Sequence, residues 1–141
     1  KLSSVLRNPT SMMTYLKALS YNENLYEYNK ANKEGFNEVV FLNIYGNIAE
    51  GATSNIFIIK DKKIYTPKIS DGILPGVVRN WVIKNFRVCE KHLDKEDLYS
   101  ADEVFITNSI LGIMKIVQFE ERSYSTSMVE RIRSEYEQFI I

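Results

Sequence analysis

Cysteine and histidine are almost missing: the 141-residue chain has one of each, Cys89 and His92. One cysteine cannot close an internal disulfide, and the two residues are too few for a metal cluster or a histidine-based triad. Low cysteine usage predicts a reducing compartment, hence a cytoplasmic location. Excess charge is missing too. Eighteen Lys and Arg balance eighteen Asp and Glu, so the positive footprint of a nucleic-acid binder is absent. No apolar run approaches the roughly 20 residues that span a bilayer, and no membrane partner is expected. The opening Lys-Leu-Ser-Ser-Val-Leu-Arg does not read as a signal peptide. What is present is ordinary for one globular domain: 45% hydrophobic and 26% charged residues. A chain of this size can bury about two-thirds of its unfolded surface.

Strands and helices alternate along it. Residues 1–16 read as irregular or extended. Ser20 and Glu23 have capping-box spacing before a helix that ends at Gly35, with Leu25, Tyr28 and Ala31 on its inner face. Residues 38–42 read as a strand. Residues 55–59 and 63–66 form a hairpin about the turn 60–62. Helical periodicity covers Val78, Trp81, Val82 and Phe86; a short strand lies near 87–90 and a helical turn at 95–99. Strands follow at 103–107 and 112–119. A last helix starts at Ser127, with Glu130 completing a second capping box and Val129, Ile132, Tyr136, Phe139 and Ile140 on one stripe. Cys89 and Trp81 are expected in the core, and His92 on the surface.

Four features could carry chemistry. Residues 47–55, with Glu50 followed by small residues, read as a loop that lets backbone approach a ligand. Leu74-Pro75-Gly76 leads into a helix whose first N–H groups are free to hold an anion, with Arg79 read as a surface residue. Thr107-Asn108-Ser109 ends a strand with two hydroxyls and an amide. Lys17 lies in the largely apolar run 15–21; a desolvated lysine is a nucleophile for carbonyl carbon. Taken singly, each has an ordinary reading as a polar loop, a helix start, a turn or a lysine with a buried stem.

Their order is more specific. A lysine, Glu50-Gly51-x-x-Ser54-Asn55-Ile56-Phe57, Leu74-Pro75-Gly76-x-x-Arg79 and Ala101-Asp102-Glu103-Val104-Phe105 before Thr107-Asn108-Ser109 follow one another. From about Leu16 to Ile116 the chain resembles the larger, C-terminal domain of the fold type IV pyridoxal 5'-phosphate (PLP) enzymes, the class IV aminotransferases. The resemblance implies an α+β fold, with a mixed sheet closing into a pseudo-barrel flanked by helices. Residues 1–15 would be a lead-in and 16–141 the PLP-binding domain, the family's small N-terminal domain falling upstream. Lys17 matches the lysine that holds PLP covalently and acts as the catalytic base. Tyr21 matches a tyrosine at the cofactor's phenolic oxygen, and Glu50 the carboxylate at the pyridine nitrogen. The backbone of Val77 and Val78 and the hydroxyl of Ser109 match the phosphate cradle. No metal is implied.

The segment Phe105 to Met114 resembles the aminodeoxychorismate lyases most, with Asn108 orienting the substrate. Release of pyruvate and 4-aminobenzoate, a step of folate biosynthesis, is therefore the expected activity. Branched-chain or D-amino-acid transamination is the alternative, and a non-catalytic fragment a second one. A small-molecule substrate and a homodimer are the implied partners.

Overall fold

The structure is a computed structural model that describes residues 1–17 and 22–141. Ser20 and Tyr21, both used above, lie outside the described residues. Among the described residues four α-helices and nine strands follow in order: α1 (Asn22–Lys33), β1 (Val40–Leu42), β2 (Ile48–Gly51), β3 (Asn55–Lys60), β4 (Lys63–Thr66), α2 (Val77–Asn85), β5 (Val88–Glu90), α3 (Lys95–Ser100), β6 (Glu103–Asn108), β7 (Gly112–Ile116), β8 (Gln118–Phe119), β9 (Arg122–Ser123) and α4 (Ser127–Phe139). The main sheet runs β5-β4-β3-β6-β7, antiparallel except for the parallel pair β4–β5. Strands β1 and β2 form a second, antiparallel pair, and β8 and β9 a third. The expected α+β class and mixed sheet are what the chain adopts.

Side-chain alternation explains the layers. Ile56 and Ile58 of β3 and Val104 and Ile106 of β6 point inward with Val40, Ile48 and Leu98. Phe57, Ile59 and Phe105 point outward, where α2 and α4 cover them with Val78, Val82, Val129 and Ile132. Both faces are buried, which is why these strands read as nearly continuous apolar runs. Phe57 and Phe105 face each other in register and stack with centroids 4.7 Å apart. Replacing either by Ala would cost about 3–5 kcal/mol.

Several elements depart from expectation, mostly where polar groups are buried. Residues 48–51 are a buried strand rather than part of a loop, because β1 pairs with them and Ile48 N–H donates to Leu93 O at 2.6 Å. The inner face of α1 is Asn24, Glu27 and Ala31, while Leu25 is exposed. Asn24 Nδ2 donates to Ala52 O at 2.7 Å and Glu27 accepts from Ser3 Oγ at 2.7 Å; these satisfied polar groups set the face, not the apolar ones. The helix does end at Gly35, with φ +90°, the left-handed position that suits glycine. The second capping box is not formed. Glu103 of β6 accepts instead from Ser127 Oγ at 3.1 Å, Met128 N at 3.0 Å and Val129 N at 2.9 Å, and Glu130 pairs with Lys115 at 2.5 Å.

Along α4, Val129 and Ile132 are buried but Phe139 and Ile140 are exposed. Cys89 is exposed, because β5 is the outer strand of its sheet. Trp81 is half-buried against Tyr136 and Phe139, at 4.9 and 5.6 Å between centroids. His92 is exposed as expected, yet its Nδ1 lies 2.7 Å from Oδ1 of the buried Asp71. The first residues run along β1, with Ser3 N–H to Val40 O and Arg7 N–H to Leu42 O, both 2.8 Å. Among the described residues no helix is long and apolar enough to cross a membrane.

Candidate active site

Glu50 stands on β2 with 8% of its surface exposed. Its Oε2 accepts the Leu74 backbone N–H at 3.1 Å. Burial raises its pKa from 4.5 to about 7, against the smaller opposing effects of that N–H and of the Arg7 charge. A carboxylate so placed is costly to ionise without a cation against it.

Leu74 is held at both ends. Glu50 takes its N–H, and Asn55 Nδ2, at the start of β3, donates to its C=O at 2.8 Å. The two ends of Glu50-Gly-x-x-Ser-Asn55 thereby grip the first residue of Leu74-Pro75-Gly76. A methyl group added at Gly76 would lie 2.3 Å from Asn55 Oδ1, so only glycine permits this approach. Gly76 is the N-cap of α2 and gives it no side-chain hydrogen bond, so the N–H groups of Val77 and Val78 start the helix free of a side-chain cap.

Arg79 is not on the surface. It is 1% exposed, and its Nη2 donates to Pro67 O at 3.0 Å and Glu90 Oε2 at 2.6 Å. It ties α2 to the ends of β4 and β5. Stripped of Glu90, the buried guanidinium would be left without a counter-charge.

At the end of β6, Thr107 pairs with Asn55 across the sheet, which brings the 107–109 segment to the same edge as the start of α2. Thr107 is buried and its Oγ1 has no hydrogen-bond partner. Asn108 Oδ1 accepts Ile110 N at 3.0 Å and Leu111 N at 2.7 Å; that oxygen shapes the turn, leaving the amide NH2 for other partners. Ser109 is exposed on the turn.

Lys17 is exposed, as is Leu16 before it. Of the apolar run 15–21, Leu16 is exposed, and residues 18–21 lie outside the described residues. Leu16 does reach the right place: it lines an open cleft of about 400 Å³ with Arg7, Asn24, Glu50 and Leu74. Arg7 is the residue that sequence reasoning missed. It packs over the Phe41 ring at 4.0 Å, and its Nη2 donates to Asn24 Oδ1 at 2.8 Å. The nearest signal was a lone cation before Asn8-Pro9, which by itself says nothing about a partner 43 positions on.

Fold and site together describe an α+β domain with a buried carboxylate, a glycine-opened helix start and a hydroxyl turn at one edge of a mixed sheet. The sequence profile of the amino-transferase class IV family matches residues 1–119, and the chain belongs to that family. It is similar to the aminodeoxychorismate lyase of Bacillus subtilis strain 168, 35% identical over 135 residues, 92% of this chain and 46% of that protein. It is similar to the branched-chain-amino-acid aminotransferase of Escherichia coli K12, 34% identical over 114 residues, 77% of this chain and 37% of that protein. The crystal structure of the Thermobaculum terrenum branched-chain amino acid aminotransferase in its PLP form superposes with a TM-score of 0.93 at 28% identity, covering 99% of this chain and 49% of that one. The chain thus spans about half the length of these relatives or less.

Proposed function

We propose that this chain is the cofactor-binding part of a PLP-dependent enzyme acting on a small amino compound. The observation that carries the reading is the double grip on Leu74, which joins the carboxylate site to the helix start. The residues fit the cofactor. Glu50, buried and raised to about 7, suits a protonated ring nitrogen, whose charge would relieve its burial. The N–H groups of Val77 and Val78 and the Ser109 hydroxyl suit a phosphate, and the unpartnered Thr107 Oγ1 lies two residues before Ser109.

In this reading PLP, when bound, supplies the sink for electrons released at the substrate's Cα. The chain's residues do the rest. Val77, Val78 and Ser109 bind and orient the phosphate. Glu50 holds a proton at the ring nitrogen. Lys17 Nζ would hold the cofactor and, once released, would take the proton from the substrate's Cα as general base and deliver it to another atom as general acid. Tyr21 is assigned the phenolic oxygen, and the Asn108 NH2 the substrate.

The finer activity we assign is 4-amino-4-deoxychorismate lyase, with release of pyruvate and 4-aminobenzoate. The similarity to the B. subtilis lyase over 92% of the chain supports it. Branched-chain transamination is the second reading, because the E. coli aminotransferase is nearly as similar, at 34% against 35% identity. We assign 1–15 as lead-in and 16–141 as the PLP-binding domain, the relatives' remaining length completing the pocket. A cytoplasmic homodimer is part of the same reading. The test is an assay of the full-length enzyme with PLP. Pyruvate release without an amino acceptor, together with borohydride fixing the cofactor on Lys17, is the expected result. Amino transfer to 2-oxoglutarate alone would assign the aminotransferase, and no bound PLP would overturn the reading.

A further inference from the structure

We propose that Glu38 is a positioning residue for Glu50, holding the turn that follows it so that the Glu50 carboxylate stays seated at the Leu74 N–H. The inference deepens the reading of Glu50 as the ring-nitrogen partner and rests on it for its functional meaning.

Glu38 precedes β1, the strand that pairs with β2. Its Oε1 accepts Val39 N at 2.9 Å and Ala52 N at 3.2 Å, and its Oε2 accepts Ser54 Oγ at 3.0 Å. Gly51 N–H donates to Ser54 O at 2.8 Å, so residues 51–54 fold around the carboxylate. The fit is close at Gly51, where an added methyl would lie 2.2 Å from Ser54 Oγ and 3.1 Å from the Glu38 carboxylate. From the other side Asn24 Nδ2 holds Ala52 O at 2.7 Å. Ala52 is buried, so both its backbone groups depend on these two side chains.

A carboxylate is suited to this place because it is an acceptor with room for several donors at once. Among the described residues no basic side chain is ion-paired with it; its donors are two amides and a hydroxyl. Without it the Ala52 N–H would be buried and unpaired. The turn would then move to find water, and Glu50, one residue before it, would move with it.

The test is a side-chain carboxyl NMR titration of Glu50 in the cofactor-free full-length chain, with amide exchange at Ala52 and PLP binding measured alongside. Arg7 and Glu23 are the other charged side chains on the cleft, and the variants leave them in place. In Glu38→Ala the Glu50 midpoint should fall by about one pH unit as water reaches it, and Ala52 exchange should rise at least about tenfold. Glu38→Gln, which keeps the amide acceptor, should retain most of both properties. Ser54→Ala, which removes one donor, should raise Ala52 exchange by a few-fold, and it decides the matter if Glu38→Ala does not fold. A lower Tm with the Glu50 midpoint and Ala52 exchange unchanged would overturn the proposal and leave Glu38 merely structural. Failure of the wild-type chain to bind PLP would instead strike the functional reading, while the titration would still judge Glu38.

Discussion

Glu50 and the start of α2 are cross-linked inside the fold through Leu74 and Asn55, whereas Lys17 and Ser109 are exposed. Leu16 N–H returns to Met13 O at 3.3 Å, and the Ser109 turn is closed by its neighbour Asn108. Under the proposed function the difference would separate two duties. Groups that set charge must be fixed before the ligand arrives, because preorganised dipoles cost no rearrangement during reaction. A lysine that must attack and then move a proton needs freedom of its chain, and an exposed segment leaves it that freedom.

The largest effect should come from the exposed half. Lys17→Ala in the full-length enzyme is expected to lower turnover by about 10³-fold or more, as measured by product release with saturating PLP. Retained turnover would take the exposed half out of catalysis. Glu50→Gln, which can still accept the Leu74 N–H, should lower kcat by about 10²–10³-fold with little change in fold. An unchanged kcat would show that the buried half only supports structure.

The same carboxylate gives a pH test without cofactor. Its pKa when folded, about 7, lies above its ordinary 4.5. Between those values the folded chain keeps a proton that the unfolded chain has lost. Its contribution is therefore full below about pH 4.5 and is lost as the pH rises through 7. Denaturant melts should show stability falling across that window by up to about 3 kcal/mol, and Glu50→Gln should flatten the slope. Gly76→Ala should weaken PLP binding about tenfold, because Asn55 must give way. Ser109→Ala, on the local turn, should cost only a few-fold in PLP affinity, roughly one hydrogen bond.

Strand and helix positions were legible because apolar alternation marks β3 and β6 and glycine marks the end of α1. The order of Glu50, Leu74-Pro75-Gly76 and Ser109 was legible as a family pattern. The polar interior was not. Asn24 and Glu27 face inward because Ala52 and Ser3 meet them, and Arg79 is buried because Pro67 O and Glu90 receive it. Each partner is 11 to 28 residues away, beyond the reach of any periodicity. β2 was hidden for a related reason: Glu50 in its middle and the small residues after it look like a loop until the strand opposite supplies their partners.

The cap that Glu103 gives α4 bears on how the chain folds during synthesis. The helix has no side-chain cap of its own, and its donors are 24 to 26 residues from the carboxylate that takes them. β6 lies between β3 and β7, so this carboxylate is in place only once the middle of the sheet has formed. We therefore expect this helix to dock only after β3, β6 and β7 have paired. A chain stopped at Thr126 would leave Glu103, 5% exposed in the finished domain, without three donors. Limited proteolysis should find that truncated chain open at its central strands; equal resistance in the two chains would refute the expectation.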